Sequence, residues 1–239
     1  AGGRLWVVDT ARDRIEVVDP GAEQRSLVVP TGDFPVAPVA AFGRVWVPAL
    51  IDGTLTVIDE TTDDADGRIE VTVPERPKNL LPVEEGATGR EIWVSNLDGE
   101  IAAVSAESGP LGEVRGVELE RSVNRVVAVG DRGVVLPTWG RSVFGIDLGT
   151  GSVVAEIGID SIPVRGIAAH GLVWVVSDGS DELLTVIDPR AMAVRAQFVV
   201  GANRSKTTGP RQPLVVGDEI WVPNRGDSAI YVVHLDDVP

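Results

Sequence analysis

The sequence predicts an all-β chain folded as a six-bladed β-propeller of four-stranded antiparallel blades, and three observations carry that reading. First, one pattern recurs at a spacing of about forty residues. It reads Arg4-Leu-Trp-Val-Val-Asp9, Arg44-Val-Trp-Val-Pro-Ala49, Glu91-Ile-Trp-Val-Ser-Asn96, Gly133-Val-Val-Leu-Pro-Thr138, Leu172-Val-Trp-Val-Val-Ser177 and Glu219-Ile-Trp-Val-Pro-Asn224. Second, a short turn and another apolar run follow each copy, as in Leu55-Thr-Val-Ile-Asp59 and Leu184-Thr-Val-Ile-Asp188. Third, the apolar runs are short, rich in Val and Ile, and broken by Gly, Pro, Asp and Asn, which is strand chemistry throughout. A forty-residue unit cannot bury its own apolar face, so the repeats must stack on one another. A linear stack needs polar caps at both ends, and the sequence has none, so a ring is expected.

With strands lettered A to D in each unit, the first repeat supplies only B, C and D, at 5–9, 15–19 and 25–29. The second is complete: 35–41, 44–50, 54–59 and 68–74. The third runs 78–83, 91–96, 100–106 and 112–117, and the fourth 123–129, 133–138, 142–147 and 153–159. The fifth covers 164–169, 172–177, 183–188 and 194–200. The sixth has A, B and C at 213–216, 219–224 and 229–234, and lacks D. The whole chain, 1–239, thus reads as one propeller domain. Strand B carries a Trp in five of the six copies, expected as a wedge filler between blades. An Asp ends strand C at Asp19, Asp59, Asp147 and Asp188, expected to tie its own turn through backbone hydrogen bonds.

Composition excludes several classes. The net charge of −15 argues against nucleic acid as a partner, because phosphate binding needs a basic surface. Cysteine is absent, so disulfides and thiolate metal sites are excluded. No apolar stretch is long enough to span a bilayer, so no direct membrane insertion is expected. The start, Ala1-Gly2-Gly3, reads as a processed end. Of 21 basic residues only Lys78 and Lys206 are lysine. Together with abundant Val, Gly and Asp, this suits a high-GC bacterium. The chain is expected as a monomer with no cofactor and no metal.

The stretch at 46–62, W-V-x-x-x-x-x-G-T-L-T-V-I-D-x-x-T, resembles the YVTN-type repeat and is similar to NHL-type and streptogramin-lyase-like propellers. The resemblance extends over nearly the whole chain. It implies a bacterial propeller of the secreted, cell-surface or periplasmic kind, sensor domains of membrane kinases included. Lyase chemistry in that group implies paired histidines, a Glu and Mg. This chain has only His170 and His234, in different blades, so the catalytic set is not expected here.

Antiparallel order puts the D–A and B–C connections at one end of every blade. That end collects Arg76, Lys78, Asn79, Arg121, Asn124, Arg125, Arg165, Arg204, Lys206 and Arg211, with Arg141 and Arg225 from B–C turns. The other end collects Asp and Glu. A basic funnel mouth is therefore expected, with Lys78, Arg125 and Arg165 converging where guanidinium forks would bind carboxylate or phosphate. The alternative is that these cations staple the blades through Asp33, Asp98, Asp178 and Asp181. Trp139 breaks the repeat by sitting in a turn, where an exposed indole can be a binding hot spot. The candidate ligand-binding set is Lys78, Asn79, Asn124, Arg125, Trp139, Arg165, Lys206, Arg211 and Arg225, with no catalytic and no metal residue. The segment 201–212 is longer than the other D–A connections and rich in Asn, Arg, Lys and Thr. Asn224-Arg-Gly-Asp-Ser228 places an Arg-Gly-Asp tripeptide in a hairpin turn, and the acidic run at 61–67 lacks the distal Glu of a calcium loop. The expected function is a non-catalytic extracellular binding or scaffold propeller offering its basic mouth to an anionic small molecule, glycan or protein partner. Two alternatives remain open from sequence: a lyase- or hydrolase-type enzyme with its site at the same mouth, and a structural domain of a larger surface protein.

Overall fold

The structure, a computed structural model, describes residues 2–21, 26–62, 64, 68–86, 89–96, 98–107, 114–117, 123–178, 181–202 and 209–239. The chain forms two compact units, 1–118 and 119–239. Each holds three antiparallel sheets. In the first unit, β1 (Leu5–Asp9), β2 (Arg14–Val18) and β3 (Ser26–Pro30) make a three-stranded sheet. Two four-stranded sheets follow: β4 (Val39–Ala41), β5 (Arg44–Ala49), β6 (Thr54–Asp59), β7 (Ile69–Thr72), then β8 (Pro77–Gly86), β9 (Gly89–Asn96), β10 (Ile101–Ser105), β11 (Val114–Val117). The second unit opens with β12 (Val123–Val129), β13 (Arg132–Pro137), β14 (Ser142–Asp147) and β15 (Val153–Gly158). It continues with β16 (Ile162–Ala169), β17 (Leu172–Asp178), β18 (Asp181–Asp188) and β19 (Ala193–Ala202). A three-stranded sheet of β20 (Leu214–Val216), β21 (Glu219–Asn224) and β22 (Ala229–His234) completes it. Every sheet is a simple meander, so the forty-residue period corresponds to one blade each time.

The strands match the expected ones within a few residues, with one systematic difference. Strand A of the second blade shrinks to β4, and residue 35 is left as an isolated bridge, Pro35↔Ala49. Pro35 and Pro38 have no N–H to give a ladder, which breaks the strand where the apolar pattern continues.

The packing rule between blades is the same wherever consecutive blades share a unit. The residue at the Trp place of one blade packs against the two residues that flank the Trp place of the next. Trp46 clusters with Ile92 and Val94, Val134 with Val173 and Val175, and Trp174 with Ile220 and Val222. Trp6 packs in the same way on the group holding Val45 and Val47. Trp46, Trp93 and Trp174 are fully buried. In the fourth blade Arg132 pairs with Asp147 as Arg44 pairs with Asp59, so the Trp place is Val134 and not Val135 as the aligned sequence suggests, and a neighbouring strand position, Leu136, adds volume to the same cluster.

A buried indole must find an acceptor, and the residue two places before each Trp decides which. Where it is Arg44 or Leu172, the Nε1 donates to the last carbonyl of strand A, Ala41 at 3.2 Å or Ala169 at 3.1 Å. Where it is Glu91 or Glu219, the indole donates to that carboxylate, at 2.9 and 2.8 Å. Glu91 is itself buried, and Arg115 offsets its charge at 3.0 Å while stacking over Trp93.

The Asp at the end of strand C in four of the blades ties its turn, as its position predicts. Asp19 accepts from the Gly21 N–H, Asp59 from Thr61, Asp147 from Thr150, and Asp188 from Arg190 and Ala191. These bonds hold three carboxyls below their ordinary value: Asp59 through the Thr61 side chain and backbone, Asp147 chiefly through the Thr150 N–H, and Asp188 chiefly through the Ala191 N–H. A carboxylate with a depressed folded-state pKa adds stability that is present above the unfolded value and lost as pH falls through the folded one. The melting temperature should therefore fall below about pH 4, in part through these turns. Asp59→Asn, Asp147→Asn and Asp188→Asn combined should flatten that fall. A thermal melt series from pH 7 to 3 reads it, and an unchanged slope in the triple variant would remove the turns from the explanation.

Candidate functional site

The innermost strand of five blades carries one extra residue, and this bulge organises the candidate site. In the third blade the pairing steps from Pro77↔Asn96 to Asn79↔Ser95, in the fourth from Val123↔Pro137 to Arg125↔Leu136, and in the fifth from Pro163↔Ser177 to Arg165↔Val176. The second and sixth blades show the same count, from Pro35↔Ala49 to Val39↔Trp46 and from Pro210↔Asn224 to Leu214↔Trp221. A bulge re-aims side chains and is common beside functional sites. Counting from the bridge, the bulged residue is Val36, Lys78, Asn124, Val164 and Arg211 in turn. The residue after it is Ala37, Asn79, Arg125, Arg165 and Gln212. Six of the nine residues expected at the site thus fall at two equivalent positions of the repeat.

The second unit brings several of these together. Arg125, on the fourth blade, reaches within 3.5 Å of the Gln212 Oε1 on the sixth. The Gln212 Nε2 donates to the Gly166 carbonyl, on the intervening fifth blade, at 3.1 Å. The Asn124 Nδ2 donates to the Val164 carbonyl at 3.1 Å, joining the bulge of one blade to that of the next. Side chains from β12 and from the entry to β20 therefore meet over β16. Arg125 and Arg165 are half-buried. Burial, and then the Arg165 charge, lowers the Arg125 pKa from its ordinary value, though guanidinium groups stay charged at neutral pH. Among the described residues, no carboxylate forms an ion pair with either.

Several other basic residues among those described are paired with carboxylates. Arg76 staples to Asp98 at 2.9 Å, Arg132 to Asp147 at 2.8 Å, and Arg14 bridges Asp9 and Glu16. Asp33, considered above as a staple, instead stands beside Asp13 and Asp52, and its carboxyl is pushed up by desolvation first and those like charges second. The staple therefore operates for Arg76 and not, among the described residues, for Arg125 or Arg165.

The remaining candidates are spread out. Lys78 is exposed and Asn79 half-buried on β8, in the first unit, where the Asn79 amide lies 3.4 Å from the Ser95 hydroxyl. Arg211 is half-buried beside Gln212, its backbone N–H held by the Pro223 carbonyl at 2.8 Å. Arg225 is exposed in the β21–β22 turn. Trp139 is 78% exposed in the turn between β13 and β14. Lys206, Arg121 and Arg204, residues 203–208 of the 201–212 segment, and much of the 61–67 run lie outside the described residues. Gln212 was not among the candidates; its signal was its place two residues after Pro210, matching Arg165 after Pro163.

Both histidines and the Arg-Gly-Asp turn are engaged by the fold. His170 meets the Gly217 carbonyl at 3.2 Å, and His234 meets Glu219 at 3.3 Å. In the Arg-Gly-Asp turn, the Asn224 Oδ1 accepts from the Gly226 and Asp227 N–H groups, and Asp227 accepts from the Tyr231 hydroxyl at 2.6 Å. Among the described residues, no group of three or more His, Asp or Glu is placed to hold a metal ion. Nor is any helix long and apolar enough to cross a membrane.

Blades of this size and order define a class, and solved structures agree on it. The chain is similar to apo AztD from Citrobacter koseri, with 12% identity and a TM-score of 0.66 over 99% of this chain and 81% of that one. It is similar to Kuenenia stuttgartiensis hydrazine synthase, with 15% identity and a TM-score of 0.70 over 98% and 74%. It is also similar to BamB from Moraxella catarrhalis, with 16% identity and a TM-score of 0.64 over 98% and 70%. The fold is that of the β-propellers, with six blades in this chain. No family model and no curated protein matches the sequence.

Proposed function

We propose that this is a non-catalytic binding propeller whose second unit receives an anionic ligand, or an acidic group of a protein partner, at Arg125 and Arg165. One observation carries the reading: two guanidinium groups at the same repeat position of adjacent blades are half-buried with no carboxylate partner among the described residues, in a chain of net charge −15. Desolvating like charges side by side opposes folding unless a counter-charge arrives. Guanidinium forks are suited to a shared carboxylate or phosphate. The exposed Arg141 and Arg225 stand in B–C turns at the same end of their blades as the bulges, and add to the attraction. An extracellular, cell-surface or periplasmic setting belongs to the same reading and rests on the repeat resemblance.

The test is a pair of substitutions, Arg125→Gln and Arg165→Gln, read by calorimetry and thermal shift against inorganic phosphate and citrate. Binding should weaken by about tenfold or more in the double variant, on the scale of one or two charge-assisted hydrogen bonds. The unliganded double variant should melt at the same temperature as the parent or higher, because a like-charge contact is gone. A large fall in melting temperature, with no anion binding in the parent, would instead identify the two arginines as structural staples.

A further inference from the structure

We propose that the anion received at Arg125 and Arg165 is an acidic sugar, a uronic acid unit of a glycan, whose ring stacks on Trp139. The inference rests on the anion-binding reading above and names its ligand. Trp139 is the most exposed large apolar side chain among the described residues, at 78%. The other five tryptophans occupy strand B, and three of these are fully buried.

The position of Trp139 links it to the arginines. Arg125 pairs with Leu136 across β12 and β13, and Trp139 lies three residues further, in the turn at that end of the blade. Three residues span at most about 11 Å even when fully extended, so the Trp139 backbone stays at the same end of the blade as Arg125. Gly140 follows with φ of +107°, a conformation that side chains rarely adopt, and open space lies where its Cβ would be. Arg141 comes next, exposed and without an ion-pair partner among the described residues.

Two kinds of contact are therefore offered within one short reach: a flat aromatic face and guanidinium forks. An inorganic anion uses only the forks. A neutral sugar uses only the face. A uronic acid carries in one ring both the C–H face that stacks on an indole and the carboxylate that a guanidinium grips. Half-buried Gln212 accepts from Arg125 through its carbonyl oxygen and donates its Nε2 to the Gly166 carbonyl, so it positions the Arg125 guanidinium. The strong overall negative charge disfavours long polyanions and suits a short segment or a chain end.

The experiment titrates the intact chain by calorimetry with trigalacturonate, the matching neutral galactose trimer, inorganic phosphate, a mononucleotide and a short oligoglutamate. Trigalacturonate should bind more tightly than the rest. Trp139→Ala should weaken it about tenfold while leaving phosphate unchanged, and Trp139→Tyr should restore most of the loss. Arg125→Gln with Arg165→Gln should abolish both. If phosphate binds and Trp139→Ala leaves trigalacturonate untouched, the sugar assignment fails and the anion site survives. Tighter binding of oligoglutamate or of the nucleotide overturns the assignment in favour of that class. If neither phosphate nor trigalacturonate binds, both readings fall together.

Discussion

Trp174→Ala should lower the stability of the chain by about 3–5 kcal/mol, the range for truncating a buried aromatic. The side chain is fully buried and belongs to a cluster with Val176, Leu184, Ile220, Val222 and Val233, so its loss opens a void between the fifth and sixth blades. Strands held in hydrogen-bonded sheets cannot move inward to fill it. Trp174→Phe separates the contributions: most of the apolar volume stays, but the Ala169 carbonyl loses its 3.1 Å donor. That change alone should cost about 1–3 kcal/mol. Trp221→Ala should cost less than Trp174→Ala, because the same repeat position is only half-buried there. Denaturant midpoints at constant slope measure all three. Equal losses at Trp174 and Trp221 would mean that burial between blades is not what the tryptophans provide.

Asn224→Asp should be the most damaging isosteric change in the second unit, at about 3–5 kcal/mol near neutral pH. The Asn224 amide nitrogen donates to the buried Glu182 carboxylate and to the Val200 carbonyl at 2.8 Å. A carboxylate in its place turns both donations into repulsions and sets a second negative charge against Glu182. Gly201 leaves no room for relaxation, since a Cβ there would already strike Glu182 and Asn224. The sign with pH follows. Burial beside a carboxylate raises the folded-state pKa of the new acid, so the loss should be complete above that raised value, shrink as pH falls below it, and vanish below the unfolded carboxylate value. Asn224→Ala separates charge from hydrogen bonding: it loses the donors without the repulsion and lacks the recovery at low pH. A full-strength defect in Asn224→Asp at pH 4 would show that repulsion is not the cause.

The strands were legible because each blade repeats the same alternation, and a period of two with Gly, Pro and Asp at the ends leaves little choice of register. The hydrogen-bonding role of Asp59, Asp147 and Asp188 was legible for a similar reason: it acts over two or three residues. The bulge was not. It shows as an offset between two paired strands, and no single strand displays it. Gln212 was missed on that account, while Arg211, its neighbour in an equally polar stretch, was chosen. The fate of the cations was equally hidden. Arg76 and Arg125 look alike in sequence, yet one meets Asp98 and the other meets Gln212 and Arg165.

By itself the sequence determined the blade: its four-strand order, its Trp wedge and its turn-tying Asp, because these depend on local periodicity and on contacts repeated from copy to copy. Only the tertiary structure decided which basic residues stay without a carboxylate partner among the described residues. That depends on side chains up to 87 residues apart meeting over a third strand. Repetition makes local geometry readable many times over, whereas charge pairing is settled once, by the residues that packing brings near.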